Sequence, residues 1–189
     1  ANALPMWVAA DRGLFAKRGL KVAFEEARGS AAQYRSLMDG RIHVFTTLME
    51  NVIAYRWGEG EVQFELAPEA VAGRVCILCQ QKLMARAYIE DIADLKGRTL
   101  AVSGMRTGNA LVLYGMLSRL GFERDRDYRV IAVGAGPVTI ESLLHAGADA
   151  ALMGAPHDRT AAAAGLRTLG DSITAFGEYQ HSVYTVRRS

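Results

Sequence analysis

The sequence predicts an α/β protein of two lobes, in which mostly parallel sheets are covered by helices. Three observations carry this. From residue 99 onward, strand-like, loop-like and helix-like segments alternate three times. The first 57 residues read helix, strand, helix, strand, helix. Between these parts, Ala67-Pro68-Glu69 and Gly73 break the pattern before a near-continuous apolar run, Val75-Cys76-Ile77-Leu78-Cys79. Such alternation feeds parallel strands through crossover helices that pack on the sheet faces. The break is where the chain is expected to cross between lobes, giving a first lobe over 1–72, a second over 73–186 and the start of a return crossover at 187–189.

From Pro5 to Lys17, Trp7, Ala10 and Leu14 fall on one helical face, with Gly19 placed to cap the end. Val22 and Phe24 alternate with Lys21, Ala23 and Glu25 as in a strand, and Arg28-Gly29-Ser30 follows as a turn. Ser30 can cap a short helix ending at Gly40. Ile42 to Phe45 reads as a strand, Thr46-Thr47 as the loop after it, and Met49 to Trp57 as a helix. Val62 to Leu66 is one more strand. After a polar stretch from Gln80 to Asp94 come three units: Thr99–Val102 into a helix through Leu120, Val130–Val133 into a helix through Ala146, and Ala150–Met153 into a helix through Ala164. Gly121, Gly147 and Gly165 stand at the three helix ends. Leu166–Leu169 and Ser182–Val186 complete the strands, the last leading out of the second lobe.

With 189 residues, half of them hydrophobic, the chain can bury real cores. Its 22 basic against 20 acidic side chains form no run or stripe, which argues against a nucleic-acid partner. No apolar stretch reaches the roughly 18–20 residues needed to span a bilayer. Cys76 and Cys79 lie in one apolar strand pattern with side chains on opposite faces, so they read as unpaired structural thiols that say little about compartment. His43, His145, His157 and His181 show no metal-ligand spacing, and no cofactor is expected. No P-loop is present, and Gly134-x-Gly136-x-x-Thr139 lacks the last glycine of a dinucleotide fingerprint.

Ligands of open α/β sheets bind beyond the carboxyl ends of strands, where helix N-termini present free N–H groups and a positive dipole end. Four such loops stand out: Arg28-Gly29-Ser30, Thr46-Thr47, Ser103-Gly104-Met105-Arg106-Thr107-Gly108, and Gly134-Ala135-Gly136-Pro137. Met153-Gly154-Ala155-Pro156 closes a further strand in the same manner. Taken singly, a Gly–Ser before a helix is a turn and cap, and a lone arginine is a solvated charge. Repetition at equivalent places is what points to a cleft. In it, Arg106 is suited to pair with a carboxylate, sulfonate or phosphate, and Trp7, Met105 or Met153 to pack against the rest of the ligand.

The opening Leu4-Pro5-Met6-Trp7-Val8-Ala9-Ala10-Asp11-Arg12-Gly13-Leu14-Phe15 resembles the start of the NMT1/THI5-like binding proteins, which serve ABC importers of sulfonates, nitrate, taurine and thiamine precursors. Asp39-Gly40-Arg41-Ile42-His43-Val44, Asp94-Leu95-Lys96-Gly97-Arg98-Thr99-Leu100, and Leu143-Leu144-His145-Ala146-Gly147-Ala148-Asp149-Ala150 match in family order. The resemblance implies a type II periplasmic-binding-protein fold, here without its first strand and C-terminal return, closing on a small and anionic ligand or a heterocycle. It implies ligand contacts from Pro5, Met6, Gly29, Ser30, Thr46, Thr47, Ser103, Gly104, Met105, Arg106, Thr107, Gly134, Met153 and Gly154. ABC permease subunits would be the partners of a monomeric receptor, periplasmic or extracellular and membrane-associated, with any export signal outside this sequence. His43 stands where relatives mostly carry an acidic residue, and Glu50-Asn51 where a subset shows Asp-Asn.

Two other functions share the fold. A desulfinase or decarboxylase would need a cysteine, a histidine and an arginine in the cleft, for which Cys76 or Cys79, His43 and Arg56 are the nearest. An apolar strand is a poor place for a reactive thiolate, which favours the non-enzymatic reading. A sensory module would use the same cleft to report ligand to a partner protein.

Overall fold

The computed structural model describes residues 4–25, 30–49, 51–52, 71–77, 80–177 and 182–187. Helix α1 (Leu4–Asp11) is shorter than the expected 5–17 segment. Gly13 ends it in a left-handed conformation at φ 62°, where the Leu14 N–H reaches the Ala9 carbonyl (2.8 Å) and the Gly13 N–H that of Ala10 (3.0 Å). A 3-10 turn over Ala16–Arg18 follows, capped at Gly19 as expected. Trp7 is 55% exposed and stacks on Phe24, ring centroids 4.4 Å apart. Residues 20–25 adopt no regular secondary structure, so the expected Val22–Phe24 strand does not form among the described residues. The expected Val62–Leu66 strand lies outside them.

Helix α2 (Ser30–Met38) leads through a turn to β1 (Val44–Leu48). Thr46 and Thr47, expected in a loop, are strand residues, paired with Tyr184 and Val183. Strands β2 (Val71–Ile77) and β8 (Ser182–Arg187) complete a three-stranded sheet of order β1-β8-β2, with β8 antiparallel to both neighbours. By sheet membership, residues 73–77 and 182–186 go with the first lobe rather than the second. The crossings between sheets follow β2 and precede β8.

The second sheet has the order β5-β4-β6-β3-β7, built from β3 (Gln81–Ala85), β4 (Arg98–Val102), β5 (Tyr128–Ala132), β6 (Ala150–Gly154) and β7 (Arg167–Asp171). Four of its strands run the same way. Strand β3 opposes β6 and β7 on either side, whereas β4 is parallel to both β5 and β6. The stretch expected to be merely polar therefore hides an interior strand. Gln81 and Lys82 mask it, but Leu83, Met84 and Ala85 are fully buried.

Helices cover both faces, as the alternation implied. On one side α3 (Gly108–Arg119) buries Ala110, Leu113 and Leu117 at helical spacing against Leu83, Leu100, Val102 and Leu152. Each of these leucines contributes about 1.5–3 kcal/mol through burial. On the other side α4 (Pro137–Leu144) and α5 (His157–Ala163) enclose Met84, Ala101, Ile140, Leu143, Ala151, Met153 and Ala161. A short α6 (Ser172–Phe176) follows β7. The first lobe has a separate core of Tyr34, Leu37, Phe45, Val52 and Val183.

The edge of the second sheet opposite the strands' carboxyl ends is built by two of the sequence motifs. Asp149 accepts from the Thr99 N–H (2.8 Å) and from the Tyr88 hydroxyl, and its own N–H donates to the Thr99 carbonyl (2.7 Å). Asp94 accepts from the N–H groups of Glu90 (2.9 Å) and Asp91 (3.2 Å).

One helix end departs from expectation. Ala146, not Gly147, adopts the left-handed conformation after α4 (φ 62°), while a Cβ on Gly147 would stand 2.9 Å from Ser142 Oγ. A left-handed non-glycine residue costs about 1–2 kcal/mol, and a glycine there adds unfolded-state entropy worth about 0.4–1 kcal/mol. Ala146→Gly should therefore stabilise the protein by about 0.5–1 kcal/mol in urea denaturation, and Gly147→Ala should destabilise it.

Candidate functional site

The parallel strands β4, β5 and β6 are in register, so the loops that follow them emerge at one edge of the second sheet. Antiparallel β3 begins there too, with Gln81 opposite Gly154. Sequence thus delivers four segments to one place: residues 103–107, 133–136, 154–156 and the start of β3.

Ser103 to Thr107 form a turn held by their own groups. Thr107 Oγ1 donates to the Gly104 carbonyl (2.8 Å), lies 3.1 Å from Ser103 Oγ and accepts from the Ala110 N–H (3.4 Å) as the cap of α3. Tyr114 Oη donates to the Met105 carbonyl (3.1 Å). Met105 and Arg106 project from this turn and are exposed. In the next loop Thr139 Oγ1 donates to the Gly134 carbonyl (2.9 Å), and Gly136 passes so close to His157 that a Cβ would stand 3.3 Å from its Nε2.

The first lobe meets this edge through Asn51, the second residue of the Glu50-Asn51 pair. Asn51, 6% exposed, accepts the Gly108 N–H at 2.8 Å through Oδ1 and donates to Thr47 Oγ1 at 3.0 Å through Nδ2. Thr47 is thereby brought to the start of α3. Thr46, next along β1, alternates to the other face of the sheet. No described hydrogen bond, ion pair or ring contact joins Met6 to this cluster, Pro5 sits in the first turn of α1, Ser30 begins α2, and Gly29 lies outside the described residues. Met153 is buried in the core beneath α4 and α5, and Trp7 packs on Phe24, so neither presents a side chain to these loops.

Polar residues that the sequence reading passed over tie the edge together. Asn109 Nδ2 donates to Gln81 Oε1 (2.7 Å) and to the Leu152 carbonyl (2.9 Å), joining α3 to β3 and β6. The Gln81 N–H donates to Ser172 Oγ (3.0 Å). Lys82 Nζ lies 3.1 Å from Oδ2 of Asp158, whose side chain is only 7% exposed. Gln81-Lys82 ahead of an apolar run was the available signal for a strand with a polar, site-facing start.

Among the described residues, the rival catalytic set is not brought together. His43 precedes β1, while Val75, next to Cys76, is level with Val183 and hence with Thr47 near the other end of β1. Backbone pairing thus places His43 and Cys76 at opposite ends of the sheet. Cys79 and Arg56 lie outside the described residues. Among the described residues, no three His, Cys, Asp or Glu side chains cluster as a metal would require, and no helix is long and apolar enough to cross a membrane. A surface groove of about 410 Å³ lined by Tyr114, Ser118, Phe122 and Tyr128 opens toward the C-terminal half of α3, away from Thr107. Burial pushes the Tyr128 phenol up to about 12.

Two sheets linked by paired crossings, with helix starts and glycine loops gathered at one edge, define an α/β protein of the periplasmic-binding-protein class. The chain belongs to the NMT1-like family, whose model matches residues 1–177. It is similar in structure to the periplasmic aliphatic sulphonate binding protein SsuA from Escherichia coli, with a TM-score of 0.73 and 18% identity over 98% of this chain and 62% of that one. It is similar also to the periplasmic nitrate-binding protein NrtA from Synechocystis PCC 6803, with a TM-score of 0.82 and 14% identity over 98% of this chain and 52% of that one. A zinc-bound ligand-binding component of an ABC-type import system from Staphylococcus aureus gives 0.68 and 12%, over 89% of this chain and 56% of that one. The chain therefore spans less than two thirds of the length of each. No curated protein gives a significant sequence match.

Two predictions follow from the polar edge. Removing Lys82 leaves the Asp158 carboxylate buried without its cation, so Lys82→Met should destabilise by about 2–3 kcal/mol, less than for a fully buried pair because Lys82 is one-third exposed. Adding Asp158→Asn should recover most of that loss, which a double-mutant cycle in urea would show. Asp171 caps α6, and its carboxyl is held below the ordinary range, first by hydrogen bonding from Gln80 and then, against some desolvation, by bonds from Thr174 and Ile173. A depressed folded-state pKa gives stability that is present above about pH 4 and lost as pH falls through the folded value. The stability gap between the parent protein and Asp171→Asn should therefore shrink in denaturation curves taken below pH 4.

Proposed function

We propose that this protein reversibly captures a small organic anion between its two lobes, as the solute receptor of an ABC importer. The observation that carries the reading is the meeting of Thr47 and Asn51 of one lobe with the Thr107–Gly108 end of α3 in the other, beside the loops after β4, β5 and β6. Family membership supports it. So does the likeness to binding proteins for aliphatic sulphonates and nitrate, though at identities that speak for the fold.

The ligand's charge falls to Arg106. Asn51 already takes the Gly108 N–H and Thr107 the Ala110 N–H, so two of the first amides of α3 are occupied. Arg106 projects beside them and pairs with a carboxylate or sulfonate in fork geometry. Ser103, Gly104, Thr107, Gly134 and Gly154 supply the wall, and Met105 an apolar contact. In this reading the protein acts as a monomer outside the cytoplasm, in the periplasm or on the outer face of the membrane, and passes the ligand to permease subunits. An enzymatic reading through Cys76 would require His43 and Cys76 at one end of the first sheet, and the strand pairing puts their backbones at opposite ends.

The test is a thermal-shift screen of the intact protein against nitrate, alkyl and aryl sulfonates, dicarboxylates, phthalate-like acids, riboflavin and aminopyrimidines. A ligand at one hundred times its Kd stabilises by about 2.7 kcal/mol. An anion should give that shift and survive unchanged, and Arg106→Ala should weaken it about 10- to 100-fold, the worth of a charged hydrogen-bond pair. Consumption of the compound would point to the enzyme. Unchanged affinity of Arg106→Ala for every bound anion would remove the clamp.

A further inference from the structure

Among the described residues, the two lobes share no hydrophobic core. The cluster of the first lobe contains no residue of the second sheet, and the two clusters of the second contain none of the first. What joins them, besides the chain crossings after β2 and before β8, includes a hydrogen-bonded bridge through one buried side chain. Asn51 accepts the Gly108 N–H and donates to Thr47 Oγ1, with Asn51 and Thr47 both more than nine-tenths buried.

The chemistry of that side chain suits the place. Gly108 is the first residue of α3, and its N–H belongs to the group that no intrahelical carbonyl can satisfy. An amide oxygen meets both that orphan donor and the positive end of the helix dipole while adding no net charge to the cleft. The amide nitrogen of the same side chain anchors it to a strand hydroxyl that is itself fixed by sheet pairing with Val183. An aspartate would satisfy Gly108 but lose the donor to Thr47, and an alanine would lose both bonds.

We infer that Asn51 is an interlobe latch, a positioning residue that sets the separation of the lobes in the ligand-free protein by clipping the start of α3 to β1. The inference rests on the proposed function only for the existence of a cleft between lobes, and it concerns the free protein whatever the ligand is. A ligand group that needs the Gly108 amide must take it from Asn51, so the latch ties occupancy at α3 to the movement of the lobes.

Hydrogen exchange at the Gly108 amide, with the radius of gyration from small-angle scattering, tests this in the intact protein without ligand. Asn51→Ala should speed exchange at Gly108 at least tenfold relative to amides deeper in α3 and raise the radius of gyration. Asn51→Asp should restore slow exchange at Gly108. Should Asn51→Ala fail to fold, Thr47→Val removes the first-lobe anchor alone and should raise the radius of gyration while leaving α3 intact. An Asn51→Ala protein with unchanged Gly108 exchange and unchanged radius overturns the latch, as does equal acceleration across all of α3 that Asn51→Asp fails to rescue. None of these readouts depends on Arg106 or on any anion, so failure of the ligand reading leaves them standing.

Discussion

The whole arrangement depends on strand β8 lying between β1 and β2. The central strand of the first sheet is the last of the described strands, so the described part of that sheet closes only after the second lobe has been threaded and the chain has come back. Val44 is paired with Val186 and Val71 with Arg187, contacts between residues more than a hundred positions apart. Such pairing is paid for in loop-closure entropy before it returns anything, which makes the second lobe, with its short strand–helix–strand steps, the natural part to form first. The same topology puts two crossings side by side. Among the described residues, the buried clusters of the two sheets are separate.

Within the second lobe the decisive feature is the reversal of β3. Its start at the edge where the loops emerge lets Gln81 and Lys82 stand beside the carboxyl ends of β6 and β7 rather than at the far edge. Gln81 then fixes Asn109 at the start of α3, and Lys82 fixes Asp158 at the start of α5. Two helix starts flanking the loops are thus bolted to the same strand. Buried polar groups are costly unless satisfied, and here that cost is offset by placing the rim of the cleft on rigid supports.

The fold was legible because its signals are local and redundant. The motifs from Asp94 to Leu100 and from Leu143 to Ala150 announced the family, and the structure shows why they go together: Asp149 and Thr99 hydrogen-bond each other at the edge away from the cleft. They specify architecture and carry no information about a ligand. Gly19, Gly121 and Gly165 marked helix ends correctly, while Gly13 was overlooked inside a helical periodicity that continued past it. Strand β3 was missed because two polar residues begin it, and Val22–Phe24 was read as a strand because alternation shows a possible face but not a partner to pair with. The turn from Ser103 to Thr107 lies between β4 and α3 as its position implied, whereas Thr47, expected in a loop, lies in β1. Asn51, Asn109, Gln81 and Asp158 were not legible, since each acts through a residue 28 to 76 positions away and only the folded chain brings the pairs together.

The proposed capture of a ligand between two lobes would need two properties that oppose each other. The walls must be stiff, so that ligand contacts are not spent on ordering side chains, and the joint between them must be soft, so that a ligand can decide the lobe separation. Moving a two-state equilibrium from 1:99 to 99:1 takes about 5.5 kcal/mol of differential affinity. A shared apolar core between the lobes would add many kcal/mol against any such movement, since each buried leucine alone contributes about 1.5–3. A bridge of neutral hydrogen bonds adds only about 0.5–1.5 kcal/mol for each bond. The described contact between the lobes at Asn51 is polar, with Leu113 and Leu117 in one cluster and Tyr34 and Phe45 in another, so its strength is of the order of a few hydrogen bonds and not of a shared core.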